Sequence, residues 1–280
     1  MLKVKQLLNN AEQLLTSSDT PQLDCELLLC HVLGVDQAWL RTWPEAAVSP
    51  DHTLQFKRLL ESRQAGTPIA YLLGSQGFWT LDLKVTTHTL IPRPETELVV
   101  ETALELDLPN VSRILDLGTG TGAIALALAS ERSNWQVVAI DSQPQALKVA
   151  QENQQRNDLS NVEIFQSHWF DQIDKSQGKF NLIVSNPPYI EQNDPHLEQG
   201  DVRFEPGTAL VSGADGLYDL RHIISYSKSY LVKNGWLLVE HGCDQGKSVR
   251  DLFVFDGYAD VKTADDYNGL PRVTLGQWQQ

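Results

Sequence analysis

The stretch that decides the fold is Ile114-Leu115-Asp116-Leu117-Gly118-Thr119-Gly120-Thr121-Gly122, which runs straight into Ala123-Ile124-Ala125-Leu126-Ala127-Leu128-Ala129. A short β-rich run, a turn with glycine at every second position and a helical run follow in that order. Glycines allow a tight turn and a close backbone approach to a ligand. Outward from this unit, β-rich runs recur at 113–117, 136–140, 162–166, 180–185, 235–240, 258–263 and 272–277, with helical patterns between most of them. Near-continuous apolar strands spaced by helices predict βαβ crossovers and a parallel sheet covered on both faces, an α/β Rossmann-like fold. Only 264–271 separates the last two strands, too little for a crossover helix, so they are predicted to pair antiparallel.

The first strand end of such a sheet is where nucleotides bind, and the second predicted strand leads into Asp141, about 20 residues on, where a carboxylate accepts hydrogen bonds from ribose hydroxyls. A nucleoside cofactor is implied. The spacing Gly-x-Gly-x-Gly differs from the dinucleotide fingerprint Gly-x-Gly-x-x-Gly. Asp116, ending the first strand, is a candidate for ordering the glycine loop.

The fourth strand runs into Asn186-Pro187-Pro188-Tyr189. Two prolines stiffen the backbone and remove two donors, which leaves a corner rich in acceptors. With the Asn186 side-chain oxygen beside the Pro187 carbonyl, a planar NH2 group donates both hydrogens while its flat face stacks on Tyr189. This selects amides and the exocyclic amines of bases. In a generic context Asn-Pro-Pro-Tyr is merely a turn; its position on the strand predicted to flank the glycine-bearing one points Asn186 into the cofactor crevice.

Composition narrows the choice. The 280 residues are 41% hydrophobic and carry a formal charge of -14; the first 75 hold six basic and eight acidic side chains, the remainder 16 and 28. No basic run of the kind that grips a phosphate backbone is present, so direct nucleic-acid binding is disfavoured. Cys25, Cys30 and Cys243 have no zinc-ligand spacing, the scattered histidines form no metal pair, and an odd cysteine count suits a reducing cytosol better than a secreted disulfide framework. No metal is expected. Neither a signal core nor a stretch of about 18 apolar residues occurs. A soluble, cytoplasmic protein with no membrane role is therefore expected.

Three regions are predicted: 1–74, all-helical, with stop or start signals at Gly34, Thr20-Pro21, Ser49-Pro50 and Thr67-Pro68; 75–91, a β-hairpin linker with period-two Phe78, Leu81, Leu83 and Val85; and 92–280, the α/β domain. Phe78 is read as core or as a lining of the donor pocket. Arg93 and Glu95 are read as lining a substrate channel or as forming an interdomain salt bridge. The segment 191–216, with little periodicity, is predicted to be a substrate-gating loop beside Tyr189.

The segments Asp116 to Ala125, Ser185 to Ile190 and Ile91-Pro92-Arg93-Pro94-Glu95-Thr96-Glu97 resemble the release factor glutamine methyltransferases. The likeness runs through essentially the whole chain and takes in Gly74 to Phe78 and Glu205 to Leu210. It implies a seven-stranded class I methyltransferase sheet and transfer of a methyl group from S-adenosylmethionine to the glutamine amide in the Gly-Gly-Gln loop of peptide-chain release factors. By the resemblance, Gly118, Thr119, Gly120, Thr121 and Gly122 hold the methionine end of the cofactor, Asp141 the ribose, and Trp169 packs near the adenine. Asn186, Pro187, Pro188 and Tyr189 hold the glutamine amide. Because a methyltransferase domain alone could house the chemistry, the helical domain is expected to be a docking surface for the release factor. His168 departs from the pattern, which usually has an acidic residue there, and this weakens the expected adenine contact. The rival acceptors are a ribosomal-protein glutamine and, further off, a nucleic-acid adenine.

Overall fold

Helical spacing in the first part of the chain becomes five helices in the computed structural model, which describes residues 1–16 and 18–280. They are α1 (Val4–Glu12), α2 (Pro21–Leu33), α3 (Gln37–Thr42), α4 (Pro50–Gln64) and α5 (Ile69–Leu73). The chain divides into two compact units, Met1–Ser75 with Glu198–Phe204, and Gln76–Leu197 with Glu205–Gln280. In the first unit Pro21 and Pro50 open α2 and α4, where a missing N–H costs nothing. Ser49 caps α4 by accepting from the His52 N–H at 3.2 Å, and Gly34, at φ 67°, ends α2. Val4, Leu7, Ala11, Leu28, Leu29, Phe56 and Leu60 bury one core. At its margin the buried Asp24 accepts from Arg63 Nε at 2.7 Å, and Arg63 Nη1 donates to Asp201 at 3.2 Å.

A two-stranded hairpin, β1 (Ser75–Phe78) and β2 (Leu81–Lys84), precedes the main sheet, and all of it but Ser75 belongs to the second unit. The hairpin is shorter than the sequence predicts, because pairing stops at Lys84. Its backbone N–H and carbonyl are taken by the side chain of Asn153 at 2.7 and 3.0 Å, and a turn closed by Thr86 and Thr89 follows. Phe78 is buried in the core and does not line a ligand cavity.

The main sheet comprises β3 (Arg113–Leu117), β4 (Gln136–Asp141), β5 (Val162–Gln166), β6 (Phe180–Ser185), β7 (Leu231–Glu240), β8 (Ala259–Asp265) and β9 (Pro271–Trp278), in the order β5-β4-β3-β6-β7-β9-β8. All pairs from β5 to β7 are parallel, and β9 runs antiparallel to both its neighbours, as predicted for the last two strands. Strand β7 begins four residues before the predicted 235. Asn234 at φ 63° and Gly235 break the period there, and the partner register shifts between Phe180 and Leu182. A Cβ at Gly235 would crowd three carbonyl oxygens within 3.0 to 3.2 Å, so glycine serves a tight passage inside the strand.

Alternation sends Ile114, Val137, Leu182 and Leu238 to one face, under α6 (Glu97–Glu105) and α7 (Ala123–Glu131), and Leu115, Val138, Ile183 and Leu237 to the other, under α9 (Tyr218–Ser227) and α10 (Gly246–Phe255). Helix α7 is apolar all round and buried along Ala123 to Ala129, as that composition requires. The remaining helix, α8 (Pro144–Arg156), follows β4. Strand order reverses between β3 and β6, whose C-terminal residues Leu117 and Ser185 are partners. Ligands bind at such a switch point. This seven-stranded sheet, helix-covered and with its last strand antiparallel, is the class I methyltransferase fold.

Candidate active site

A cavity of about 390 Å³ opens over the C-terminal ends of β3, β4 and β6, lined by Gly118, Thr119, Gly120, Thr121, Asp141, His168, Trp169, Asn186 and Pro188 among others. That volume suits a nucleoside-sized ligand. Three of the residues singled out in the sequence stand off its wall. Gly122 begins α7 at φ 87°, and a Cβ there would meet Leu126 at 2.9 Å, so its absent side chain serves packing. Pro187 is buried, and the half-buried Tyr189 has its hydroxyl on Glu240 at 3.2 Å.

The glycine turn is bound closely to β4. The N–H groups of Gly118 and Thr119 both donate to the Ile140 carbonyl, at 3.0 and 2.8 Å, and that of Gly120 donates to Asp141 Oδ2 at 2.9 Å. Gly118, Gly120 and Gly122 all have positive φ, the region that only glycine enters without strain. Asp141 Oδ1 accepts from the Gln143 N–H at 2.8 Å. Burial raises the Asp141 pKa against the pull of these N–H groups. Asp116 does order the loop: its Oδ2 accepts from the Thr119 hydroxyl at 2.6 Å. Burial pushes its carboxyl up to about 7, with the Thr119 bond opposing and the Asp141 charge adding.

This donor set bears on ligand chemistry. Pyrophosphate-binding loops present free N–H groups to the anion. Here the N–H groups of Gly118, Thr119, Gly120 and Gly122 are spent inside the protein, and two carboxyls stand nearby. The wall suits a nucleoside that carries no phosphate and tolerates a positive charge.

Trp169, at φ 47°, turns its ring toward Gly118, where an added Cβ would lie 3.5 Å from it. Its indole N–H donates to Asp219 Oδ1 at 3.2 Å, and Asp219 Oδ2 accepts from the Ser212 hydroxyl at 2.8 Å. His168 is exposed, with Nδ1 3.7 Å from Asp171.

At the end of β6, Asn186 Nδ2 donates to the Thr96 hydroxyl at 3.0 Å, which leaves Oδ1 as its other polar end. The Tyr189 carbonyl accepts from Gln245 Nε2 at 2.9 Å, and Gly216, at φ 68°, passes so close that a Cβ would sit 2.3 Å from that oxygen. Ile190 pairs with Val211, and backbone bonds from Ile190 and Gln192 to Leu210 and Gly213 draw the two ends of the predicted loop together. Between them lie three short 3-10 turns, and Glu198–Phe204 belongs to the helical unit. Arg93 pairs with the buried Glu205, which also accepts from the Ile91 N–H at 3.3 Å, and both partners lie in the second unit.

Four site residues escaped the sequence reading: Thr96, Gly216, Asp219 and Glu240. Glu240 left a trace, an acid ending the apolar run Trp236-Leu237-Leu238-Val239 at the carboxyl edge of the sheet. Among the described residues no group of three or more His, Cys, Asp or Glu is arranged to hold a metal ion, and no helix is long and apolar enough to cross a membrane.

Residues 6–74 match the family model of the PrmC N-terminal domain, and residues 95–203 that of the methyltransferase small domain. The chain is 52% identical over 279 residues to the release factor glutamine methyltransferase of Aliivibrio fischeri, covering 99% of this chain and 98% of the relative. With that of Escherichia coli K12 it shares 47% over 273 residues, 98% of each chain. A crystal structure of a methyltransferase from Pyrococcus furiosus superposes with TM-score 0.55 at 17% identity, over 80% of this chain and 98% of its own, a likeness of fold. Agreement of about half the positions along nearly the full length of both curated relatives, on a sheet whose switch point carries the glycine turn and the Asn-Pro-Pro-Tyr corner, makes this chain a member of the release factor glutamine methyltransferase family.

Proposed function

We propose that the cavity binds S-adenosylmethionine and that the corner Asn186 to Tyr189 holds the side-chain amide of the glutamine in the Gly-Gly-Gln loop of peptide-chain release factors, whose nitrogen receives the methyl group. When bound, the cofactor supplies an electrophilic methyl on a sulfonium sulfur. Gly118 to Thr121 let the methionine end approach the backbone, Asp141 accepts from the ribose hydroxyls, and Trp169 packs beside the adenine; Gly122 shapes the turn from behind.

An amide nitrogen is a weak nucleophile because its lone pair is delocalised into the carbonyl. Asn186 Oδ1 and the Pro187 carbonyl accept its two hydrogens, Pro188 keeps the corner stiff, and the Tyr189 ring packs beneath the flat group. Acceptors that bind more tightly as the nitrogen pyramidalises favour the transition state over the ground state, and close placement of nitrogen and methyl supplies much of the rest. The N–CH3 bond forms as the S–CH3 bond breaks; the nitrogen, acidic only once methylated, then loses a proton to water.

The observation that carries this reading is that Asn186 shares one cavity with Gly118 to Thr121 and Asp141 while its NH2 end is committed to Thr96. The helical unit is proposed to dock the release factor, in the cytoplasm, with the protein as the direct partner and no nucleic acid needed. The formal charge of -14 speaks against a base as acceptor. The test is incubation with labelled S-adenosylmethionine and purified release factor, ribosomal protein or DNA, followed by mapping of the label. Label on the Gly-Gly-Gln glutamine is expected; label on a ribosomal-protein glutamine or a DNA adenine overturns the assignment.

A further inference from the structure

One wall of the cavity is an aromatic ring steered by a single polar atom. Trp169 stands at φ 47°, a conformation that a bulky residue keeps only where its surroundings impose it. Ser167 holds the backbone there: its hydroxyl donates to the Trp169 carbonyl at 2.8 Å and accepts from the Gln172 N–H at 3.1 Å. That fixes where the side chain leaves the chain but not how the ring plane faces. An indole carries one polar group, an N–H that only donates, so the acceptor it finds sets the plane. The acceptor is Asp219 Oδ1 at 3.2 Å, in the first turn of α9. The far edge of the ring, Cζ3 and Cη2, lies against Gly118, where an added Cβ would meet those atoms at 3.5 and 3.7 Å.

A carboxylate on a helix turns about two side-chain bonds unless its second oxygen is also held. Ser212 holds it. The Ser212 hydroxyl donates to Asp219 Oδ2 at 2.8 Å and accepts from the Asp219 N–H at 2.8 Å, so one hydroxyl clasps both the side chain and the backbone of Asp219. Ser212 is 1% exposed, and its own N–H donates to the Ile190 carbonyl at 2.9 Å, on the residue that follows Tyr189. The ring beside the glycine turn is thereby tied, through Asp219 and Ser212, to the chain that leaves the proline corner. Trp169 and Asp219 both line the cavity.

On the reading that this cavity holds S-adenosylmethionine with its adenine beside Trp169, we propose that Asp219 is a positioning residue for the cofactor: it sets the plane of the ring against which the base packs, and Ser212 holds its carboxylate in place. Both residues act through the indole N–H. A ring set in advance loses no rotational freedom when the ligand arrives, whereas a ring released from Asp219 must be ordered at binding, and that cost falls on cofactor affinity.

The test is a double-mutant cycle read by calorimetric binding of S-adenosylmethionine to the full chain, with the wild type, Asp219→Ala, Trp169→Phe and the double variant. Phenylalanine keeps an aromatic face and has no N–H. Each single variant is expected to weaken binding about five- to thirtyfold. In the Trp169→Phe chain, Asp219→Ala should cost less than about twofold more, because nothing is left for it to hold. Asp219→Asn keeps an oxygen for the indole, and the Ser212 hydroxyl can accept from its NH2 end, so affinity returns to within about threefold of the wild type. A general loss of structure would neither be rescued by asparagine nor vanish in the phenylalanine chain. Single losses that multiply in the double variant, or wild-type affinity in Asp219→Ala, overturn the proposal. Should Asp219→Ala lose its cooperative thermal transition, Ser212→Ala takes its place in the cycle: a loss of about two- to fivefold alone must likewise vanish in the Trp169→Phe chain. A wild type that binds no S-adenosylmethionine overturns the reading of the cavity and this inference together, whereas a binding wild type with losses that multiply overturns the inference alone.

Discussion

The glycine turn after β3 and the proline corner after β6 sit side by side, their strands paired through Leu117 and Ser185, yet they are built from opposite materials. On the β3 side the backbone does the shaping: three glycines at positive φ, with N–H groups consumed by Ile140, Thr119 and Asp141. On the β6 side, prolines remove donors and side chains do the orienting, through Thr96, Glu240 and Gln245. On the proposed function the first wall would admit a nucleoside closely and the second would present acceptors to a planar amide. Binding and reactivity are thereby assigned to different strands, so substitutions in the two walls should separate kinetically.

The sharpest test of that separation is Asn186→Ala. Loss of one preorganised partner of the reacting group is expected to lower kcat on the order of 10²- to 10³-fold, while cofactor affinity, measured by calorimetry, changes little. Normal turnover would remove the acceptor wall from the mechanism. The reciprocal substitution, Asp141→Ala, removes the acceptor of Gly120 and Gln143 as well as the proposed ribose contact. Cofactor affinity should drop about 10- to 100-fold with a smaller change in kcat at saturation. Equal damage to both parameters by both variants would break the comparison.

The two walls also differ in how much of them is legible in sequence. The β3 wall is local: Asp116 to Gly122 is one contiguous stretch, and Asp141 ends the next strand, so spacing alone finds it. The seven strands are legible for the same reason, since a buried parallel sheet writes itself as separate apolar runs. The β6 wall is legible only at its surface. Its supports come from four distant places, Thr96 before α6, Gly216 before α9, Glu240 at the end of β7 and Gln245 before α10, and no periodicity joins them. The start of β7 was read four residues late for a related reason: the close approach of Gly235 to Phe180 and Asn181 on a neighbouring strand is invisible in its own context. The hairpin was overextended because the side chain that ends it, Asn153, lies 69 residues downstream of Lys84.

A smaller effect tests whether the acceptor wall depends on such a distant support. Gly216→Ala forces a non-glycine residue to φ 68° and sets its Cβ 2.3 Å from the Tyr189 carbonyl oxygen. The strain should cost about 2 kcal/mol in urea unfolding. Because the displaced group is Tyr189, kcat should fall while cofactor affinity holds. A variant that loses affinity instead would mean that Gly216 serves the β3 wall.

The smallest effect concerns what the walls share. Each contains a carboxyl that burial pushes up to about 7, Asp116 on one side and Glu240 on the other. A raised folded-state pKa means the folded protein holds the proton more tightly than the unfolded chain does. The corresponding stability is fully present below the unfolded pKa near 4 and is lost as pH rises through about 7. Each group should therefore take away about 1 kcal/mol between pH 6 and pH 8. Burial holds the pKa of His241 down, which gives a slope of the opposite sign in the same range, so the comparison is of variant with wild type at each pH. Urea midpoints for Asp116→Asn and Glu240→Gln should each show a flatter loss from pH 6 to pH 8 than the wild type. If only one does, the carboxyl in the other wall is already ionised across this range, and the two walls differ in electrostatics as well as in architecture.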